Sequence, residues 1–250
     1  MSETTGYNKN WYKEWFGEDY LTVYEHRDQD DALKLVDLIF REAPINLQSR
    51  ILDVACGNGR HSYLLGDQSY KVFGVDLSAH LLQEAKNRQT GGTYPSFVQA
   101  DMRYLPFHPQ YFDIIFSLFT SFGYFEKDRT NQSVAMELSR VLKKDGYFVI
   151  DYLNPDYVVA NLKPHGHRKA GDLEIEEERW VDEKRVYKKI TINKNAGNKV
   201  FYESVRLYSP EEMTKILGTA GILVEKLFGE YDGSVYHPRS SRMIIFGKKD

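Results

Sequence analysis

The sequence predicts a doubly wound α/β fold, in which helices cover both faces of a mainly parallel β-sheet. The first observation is that short apolar runs alternate with amphipathic helical segments between residues 30 and 152. The second is that the first apolar run ends in a glycine-rich turn, which permits a tight strand-to-helix connection. The length of 250 residues fits one α/β domain, or one domain with an insertion, better than two independent halves.

The first half of the alternation contains two strands with their helices. Apolar side chains at positions 32, 35 and 39 recur at helical spacing, and Pro44 ends this first helix. The apolar runs 51–55 and 72–75 have the length of strands. Ser78 follows the second run and suits the N-cap of another amphipathic helix. Strand and helix therefore alternate from the start of the domain.

The second half of the alternation repeats the same unit. Further strands are predicted at 97–100, 112–118 and 147–152, and apolar residues between 134 and 141 lie on one helical stripe. Because such a βαβ succession places its strands side by side in one direction, it predicts a parallel sheet with helices on both faces.

The hydrophobic pattern changes near residue 155. Apolar and polar residues alternate around Ile175, at 185–192 and at 200–207, and turn-rich segments separate these runs. This period of two predicts a small antiparallel insert over residues 155–208.

The chain then returns to the main domain. Ser209 and Glu212 have the spacing of a capping box, and Gly221 supplies the stop of the helix that this box begins. Two final strands, at 222–230 and 243–247, are expected to complete the main sheet.

Charge and cysteine content exclude several classes of protein. Thirty-six acidic and 33 basic side chains give a net charge of −3, so there is no general attraction to a nucleic-acid backbone. The single cysteine, Cys56, excludes an intrachain disulfide and a multi-cysteine zinc site. His165 and His167 have no carboxylate at metal-ligand spacing, so no metal is expected.

The sequence shows no signal for export or membrane insertion. Its polar first ten residues lack a basic segment followed by an apolar one, and no stretch approaches the roughly 20 apolar residues that span a bilayer. One cysteine also fits a reducing compartment. We therefore expect a cytoplasmic protein without a membrane partner.

The glycine turn at 55–59 is the most informative segment. Gly57 and Gly59 allow a tight turn and let a ligand approach the backbone N–H groups. With Ser62 they nearly match the dinucleotide fingerprint G-x-G-x-x-G, although the third glycine is missing. A nucleotide-like ligand would fit this turn.

Three aspartates follow successive strands beside the turn. Asp53 lies in an apolar strand end, where it either caps a neighbouring loop or meets a cationic or hydrogen-bonding group. Asp76 ends the second strand, where an acid can accept hydrogen bonds from both ribose hydroxyls. Asp101 ends the third strand, where it can accept a hydrogen bond from an exocyclic amine while Met102 packs against a base. Together they favour an adenosine-containing ligand.

These motifs resemble class I S-adenosylmethionine-dependent methyltransferases of the small-molecule type. The resemblance covers most of residues 45–155: DVACGNG, VFGVDLS and ADMRYLPF are similar to the first three family motifs, and FDIIFSLFTSFGYF and LKKDGYFVID to the next two. It implies a Rossmann-like sheet of seven strands whose last strand is antiparallel, and S-adenosyl-L-methionine as cofactor. The core would comprise residues 1–154 and 209–250, with the antiparallel insert as a lid.

The resemblance also implies where the cofactor lies. It places Asp53 and the glycine turn at the methionine part, Asp76 at the ribose, and Asp101 with Met102 at the adenine. The full set of expected cofactor-binding residues is Tyr20, Arg27, Asp53, Ala55, Cys56, Gly57, Gly59, Asp76, Leu77, Asp101, Met102 and Ser117. Cys56 is expected to pack the turn rather than to act as a nucleophile, because apolar burial raises a thiol pKa.

Residues 1–29 concentrate aromatic side chains in the segment WYKEWFGEDYLTVYEHR. One interpretation is that these rings pack the first helices on the core. The hypothesis that we favour is that the segment folds over the cofactor, with Tyr20 near it and Arg27 paired with its carboxylate.

Residues 117–124 follow the fourth strand and in the family border the transferring methyl group. They contain no N-P-P-Y or D-P-P-Y signature, which further weakens a nucleic-acid substrate. Sugar-amine methyltransferases tend to place a histidine where Tyr124 stands, so Tyr124 is the candidate catalytic residue, as a hydrogen-bond partner or weak base. Phe119, Tyr236 and His237 are expected to line the substrate site.

The predicted function is in-line transfer of a methyl group to nitrogen or oxygen of a small-molecule acceptor. An alternative is a non-catalytic S-adenosylmethionine or S-adenosylhomocysteine sensor that uses the insert as a partner surface. A nicotinamide-dependent oxidoreductase is less compatible, because the third glycine and a Tyr-x-x-x-Lys pair are missing. The exposed edges of the insert would allow a homodimer. His61 either reaches the cofactor pocket or is a structural hydrogen-bonding residue.

Overall fold

The chain folds around two β-sheets. The computed structural model describes residues 7–24, 29–89, 91, 93–171, 173–194 and 197–250. The strands are β1 (Arg50–Val54), β2 (Lys71–Asp76), β3 (Ser96–Gln99), β4 (Phe112–Ser117), β5 (Leu142–Leu153), β6 (His165–Ala170), β7 (Leu173–Val181), β8 (Arg185–Lys194), β9 (Gly197–Arg206), β10 (Ile222–Phe228) and β11 (Arg242–Lys249).

The main sheet has seven strands in the order β10-β11-β5-β4-β1-β2-β3. The last strand of the chain, β11, is antiparallel to both of its neighbours, whereas β1 to β5 pair in parallel. The predicted α/β fold with one antiparallel final strand is therefore confirmed. Because β1 to β4 run in the same direction, their carboxyl ends meet at one edge of the sheet.

Helices flank the strands as the alternation predicted. They are α1 (Tyr12–Trp15), α2 (Glu18–Val23), α3 (Gln29–Glu42), α4 (Arg60–Gly66), α5 (Ala79–Asn87), α6 (Asp128–Val141), α7 (Pro155–Ala160) and α8 (Pro210–Thr219). The N-cap of α5 at Ser78 and the capping box of α8 are both confirmed. Within the described ranges, none of these helices is long and apolar enough to cross a membrane.

Two buried clusters hold the layers together. One cluster packs Leu35 and Ile39 of α3 against Ile51 of β1 and Phe116 of β4. The other covers the opposite face with residues of α6 and α8 and continues into Ile190 of the insert. The insert therefore shares its core with the main domain, because its inner face is buried in the same apolar cluster.

The insert is a four-stranded antiparallel sheet in the order β6-β7-β8-β9. The sequence predicted the last three strands but neither β6 nor α7. The segment 165–170 reads HGHRKA, which carries no apolar alternation, and β6 forms because each of its residues pairs with β7. Helix α7 has no buried residue and is specified by its Asn154 N-cap and by proline at its first position.

Arg185 joins the insert to the main domain. Its guanidinium is buried and donates to the backbone oxygens of Gly123, Tyr124 and Phe125, each at 3.1 Å. It also donates to the hydroxyl of Ser204 at 2.7 Å. One side chain of β8 thus satisfies three carbonyl groups of the loop that follows β4.

We expect Arg185→Met to lower the free energy of unfolding by about 2–4 kcal/mol, because three carbonyl groups of the loop and the hydroxyl of Ser204 each lose a charged hydrogen-bond donor. Chemical denaturation of both proteins measures the difference. The matched control is Lys184→Met, at an exposed neighbouring position, which should change stability by less than about 0.5 kcal/mol. Equal denaturation midpoints for the two variants would contradict this role of Arg185.

Candidate functional site

A cavity of about 510 Å³ lies at the edge where the carboxyl ends of the parallel strands meet. This volume is within the range of small-molecule sites in proteins. Many of the residues predicted to bind cofactor or substrate line it. They are Tyr20, Asp53, Ala55, Cys56, Gly57, Asp76, Leu77, Asp101, Met102, Phe119 and Tyr124. The sheet therefore brings together side chains that are far apart in the sequence.

The glycine turn forms one wall and its two glycines have different roles. Ala55, Gly57 and Gly59 all have left-handed backbone conformations, with φ of 56°, 57° and 77°. A Cβ on Gly57 would meet no atom closer than Leu81 Cδ1 at 3.8 Å, so this position leaves room for a ligand. A Cβ on Gly59 would lie 2.7 Å from Phe97, so Gly59 permits helix packing and does not line the cavity.

Asp76 closes the turn against the second strand. Its Oδ2 accepts the backbone N–H of Gly57 and its Oδ1 accepts that of Ser78, each at 2.8 Å. Burial raises the pKa of this carboxyl, although hydrogen bonds from the backbone of Ser78, Gly57 and Leu77 lower it. A carboxylate has about four acceptor sites, and the hydrogen bonds from Gly57 and Ser78 occupy one on each oxygen. Asp76 can therefore accept hydrogen bonds from two neighbouring hydroxyl groups of a ligand.

Asp53 is a buried acid with few partners. It is 2% exposed, and the hydroxyl of Ser62 donates to its Oδ2 at 2.6 Å. Burial raises the pKa of Asp53 to about 7, and the negative charge of Asp76 contributes to this increase. A ligand ammonium group beside Asp53 would stabilise the ionised form. The chemistry of this position therefore suits an amine.

Asp101 is already paired with a cation. Arg103 donates to its Oδ2 through Nη2 at 2.5 Å and to its Oδ1 through Nε at 2.9 Å. Partial burial raises the pKa of Asp101, but the hydrogen bonds from Arg103 outweigh it and hold the pKa below its usual range. Asp101 is thus ionised, and an amine of a ligand would share its oxygens with Arg103.

The aromatic amino-terminal segment forms the roof of the cavity. Phe16, Tyr20 and Tyr24 line it, and their rings meet edge to face at 4.9 and 5.0 Å. Glu203 of β9 anchors the segment, because its Oε1 accepts the indole N–H of Trp15 at 2.6 Å and the hydroxyl of Tyr24 at 2.7 Å. Arg27 lies outside the described residues, so its pairing with the cofactor stays a prediction.

The loop after β4 is held in a strained conformation. Phe119 and Thr120 have φ of 56° and 62°, which L-residues rarely adopt. The carboxylate of Asp151 accepts the N–H of Phe119 at 2.9 Å and the Nε–H of Arg242 at 2.8 Å. Arg242 also donates to the hydroxyl of Thr120 at 3.0 Å. This buried ion pair fixes the loop, and the loop places the Phe119 ring in the cavity wall.

Sequence reasoning missed Asp151 and Arg242. Asp151 is fully buried in the run FVIDYL, and an acid inside an apolar strand is the same signal that singled out Asp53. The guanidinium groups of Arg60 and Arg242 lie 5.1 and 5.7 Å from the centre of the Phe119 ring. Positive charge therefore borders this part of the cavity, which the sequence did not reveal.

Several predicted residues lie away from this cavity. Ser117 is buried in the sheet at the end of β4. Tyr236 donates through its hydroxyl to Asn154 Oδ1 at 3.0 Å, and His237 is exposed in the loop before β11. None of these three side chains belongs to the described lining of the cavity. Roles for them in binding stay predictions.

The cavity wall also contains one cysteine and one histidine. Burial raises the pKa of the Cys56 thiol well above its ordinary value, and the charges of Asp53 and Asp76 add to this effect. Cys56 is therefore a protonated side chain that packs the turn. Across the described parts of the chain, no three His, Cys, Asp or Glu side chains form a group that could hold a metal ion.

Comparison with known proteins shows which family this chain resembles. Residues 51–146, which include the glycine turn and all three aspartates beside it, match the family described as a methyltransferase domain. This part of the chain is therefore similar to class I S-adenosylmethionine-dependent methyltransferases. A relative is the glycine/sarcosine N-methyltransferase of Aphanothece halophytica, which is 30% identical over 54% of this chain and 52% of its own. The chain spans about half the length of the curated relatives that it matches.

Solved structures share the fold of this chain almost throughout. The CcbJ methyltransferase of Streptomyces caelestis superposes with a TM-score of 0.81 at 17% identity, covering 97% of this chain and 99% of CcbJ. The sugar N-methyltransferase KedS8 of Streptoalloteichus superposes with a TM-score of 0.70 at 20% identity, covering 100% of this chain and 98% of KedS8. Their common architecture therefore includes the insert as well as the main sheet.

The cavity fits S-adenosylmethionine, the cofactor of the proteins that this domain resembles. Gly57 leaves open space at the turn, Asp76 offers acceptors for two hydroxyl groups, and the buried Asp53 suits an ammonium group. Gly57 would contact the cofactor where it passes the turn, Asp76 would bind its ribose, and Asp53 would bind its amino group. The three residues therefore suit three parts of the same molecule.

We expect S-adenosylhomocysteine to bind more tightly as the pH rises through about 7, because its ammonium group favours ionised Asp53 and the pKa of this carboxyl is about 7 without ligand. Calorimetric titrations between about pH 6 and about pH 8 measure the affinity. Asp53→Asn should abolish the pH dependence and weaken binding about 10-fold at the upper pH.

Asp37→Asn, at an exposed carboxylate of α3, is the matched control and should retain the pH dependence. The stability of the ligand-free protein has the opposite pH dependence. Because the pKa of Asp53 is higher in the folded state than in the unfolded state, the contribution of this carboxyl to the free energy of unfolding is lost as the pH rises through about 7. An affinity that does not vary with pH in the unmodified protein would refute the role of Asp53.

Proposed function

We propose that this protein is an enzyme that transfers a methyl group from S-adenosylmethionine to nitrogen or oxygen of a small-molecule acceptor. The observation that carries the proposal is that one cavity joins the acidic strand ends to the aromatic loop and roof. A cofactor held by Asp53 and Asp76 would therefore share an enclosed space with Phe119 and Tyr124. This arrangement supports a reaction between two bound molecules.

The chain's own residues would act mainly by positioning. When bound, S-adenosylmethionine supplies a methyl group on a sulfonium that is already activated for displacement. Orientation of two reactants can supply roughly 7–11 kcal/mol of a barrier. The fixed loop at Phe119 and the aromatic roof at Phe16 and Tyr20 would orient the acceptor and exclude water from the reacting atoms.

The cavity favours a small acceptor. Its volume of about 510 Å³ must hold the cofactor and the acceptor together, which leaves no room for a folded macromolecule inside it. The net charge of −3 supports the same conclusion against nucleic acid. The names of relatives include glycine/sarcosine N-methyltransferases and a malonyl-[acyl-carrier protein] O-methyltransferase, which supports nitrogen or oxygen as the accepting atom.

Tyr124 is the proposed catalytic residue. It lies in the cavity wall, with its ring 4.9 Å from that of Trp11 and stacked at 5.9 Å on that of Phe16. Arg185 binds the backbone oxygen of Tyr124 and so restrains its position. Its phenol would accept or donate one hydrogen bond at the acceptor atom, as a positioning group or weak base.

The function is tested by incubating the protein with S-adenosylmethionine that carries a labelled methyl group and a panel of amines, amino sugars, amino acids and hydroxy acids. We expect labelled product and stoichiometric S-adenosylhomocysteine with at least one of them. Binding of the cofactor without transfer to any member would favour the non-catalytic sensor. Transfer to RNA or DNA alone would contradict a small-molecule acceptor.

We expect Tyr124→Phe to lower kcat at least about 10-fold with little change in the affinity for S-adenosylhomocysteine, because only the phenolic hydroxyl is removed. Steady-state kinetics with the acceptor identified above measure it. Tyr104→Phe is the control, because Tyr104 is 77% exposed and outside the cavity. Turnover of Tyr124→Phe at the parental rate would exclude a catalytic hydroxyl.

The remaining partners are also proposals. Pairing of two copies through the insert is supported by the edge strands β6 and β9, each of which has a single neighbour in its sheet. A cytoplasmic location is supported by the single cysteine, which fits a reducing compartment.

A further inference from the structure

His61 is a buried side chain of the cavity that lacks a hydrogen-bond partner. It is the second residue of α4, is 6% exposed, and belongs to the cavity lining. Its Nε2 has no hydrogen-bond partner among the described residues. Buried polar atoms are almost always hydrogen-bonded, and an unsatisfied one costs free energy. The position is therefore explained if a bound molecule supplies the partner.

The imidazole of His61 is neutral. Burial and, to a smaller extent, the adjacent charge of Arg60 lower its pKa to about 3. A neutral imidazole carries one N–H and one lone pair. His61 is consequently a fixed hydrogen-bonding group and does not hold a proton from the reaction at physiological pH.

The neighbours of His61 indicate which chemical group it meets. Ser62, the next residue of α4, holds the carboxylate of Asp53 at 2.6 Å. Arg60, the preceding residue, lines the same cavity with its guanidinium 5.1 Å from the Phe119 ring centre. One turn of α4 thus presents a cation and an N–H donor beside a buried acid. This set complements an ammonium group and a carboxylate on one carbon, which is the head of an α-amino acid.

We propose that His61 is a ligand-binding residue whose Nε2–H donates to the carboxylate of the methionine part of the cofactor. The proposal rests on the proposed function and extends it. The ammonium group of the same amino-acid head lies at Asp53. The end of β1 and the start of α4 therefore bind both charged groups of this head. Because His61 is neutral, this contact is independent of pH in the physiological range.

The test compares two ligands in binding experiments that need no turnover. S-adenosylhomocysteine contains the amino-acid head, and 5′-methylthioadenosine lacks it. For His61→Leu we expect at least about 10-fold weaker binding of S-adenosylhomocysteine and a change of less than about two-fold for 5′-methylthioadenosine. His61→Gln places an amide N–H near the position of Nε2 and should restore most of the affinity.

Thermal unfolding without ligand separates binding from folding. Removing an unpartnered buried polar atom should leave the Tm of His61→Leu equal to or above that of the unmodified protein, whereas a structural hydrogen bond would lower it. A lower Tm, or equal losses for both ligands, would overturn the proposal.

Further outcomes of the binding experiments distinguish failure of the role of His61 from failure of the proposed function. If the unmodified protein binds S-adenosylhomocysteine and His61→Leu binds it equally well, the role of His61 is wrong and the proposed function stands. If the unmodified protein binds neither ligand, the proposed function fails and the role of His61 fails with it. An increase in the acceptor KM alone, with unchanged S-adenosylhomocysteine affinity, would place His61 at the acceptor and also overturn the proposal.

Discussion

A carboxylate buried in an apolar strand end must find a partner, and this constraint acts at two places in the molecule. Asp151 receives N–H groups from Phe119 and Arg242 and the hydroxyl of Tyr231, so its charge is satisfied within the chain. Asp53 receives only the hydroxyl of Ser62 among the contacts that the structure describes. The first acid consequently holds the loop in place, and the second is free to bind a ligand cation.

The satisfied acid shapes the cavity through the loop that it holds. Because Asp151 and Arg242 hold Phe119 and Thr120 in left-handed conformations, the loop turns sharply at the end of β4 and lines the cavity. Strain of this kind costs about 1–3 kcal/mol per residue and persists only where the surroundings compensate for it. A buried ion pair with backbone hydrogen bonds supplies that compensation, so the loop is held in this conformation in the cavity wall.

The insert is part of the cavity rather than a separate attachment. Arg185 of β8 binds the three carbonyl groups at 123–125, while Glu203 of β9 binds Trp15 and Tyr24 of the roof. The loop after β4 and the roof segment are thus connected through one small sheet. A change in the position of that sheet would move both of these walls of the cavity together.

Much of the main domain was predictable because its signals are local. Periodicity, the N-cap at Ser78 and the capping box at Ser209 depend on residues within a few positions of one another. Strand β6 was not predictable, because the polar segment HGHRKA becomes a strand only through its partner β7. The same limit applies to Arg185 and Arg242, whose roles depend on groups 60 to 122 positions away in the chain.

By itself, the sequence determined the alternation of strand and helix, the glycine turn and the presence of acids at three strand ends. Each of these features depends only on residues that are close together in the chain. Only the tertiary structure decided which acids are satisfied. Asp53 and Asp151 carry the same signal in the sequence, and the difference between them is an arginine that reaches Asp151 from the last strand. The physical reason is that the free energy of a buried charge depends on what lies within a few ångströms of it, and distance along the chain does not set that distance in space.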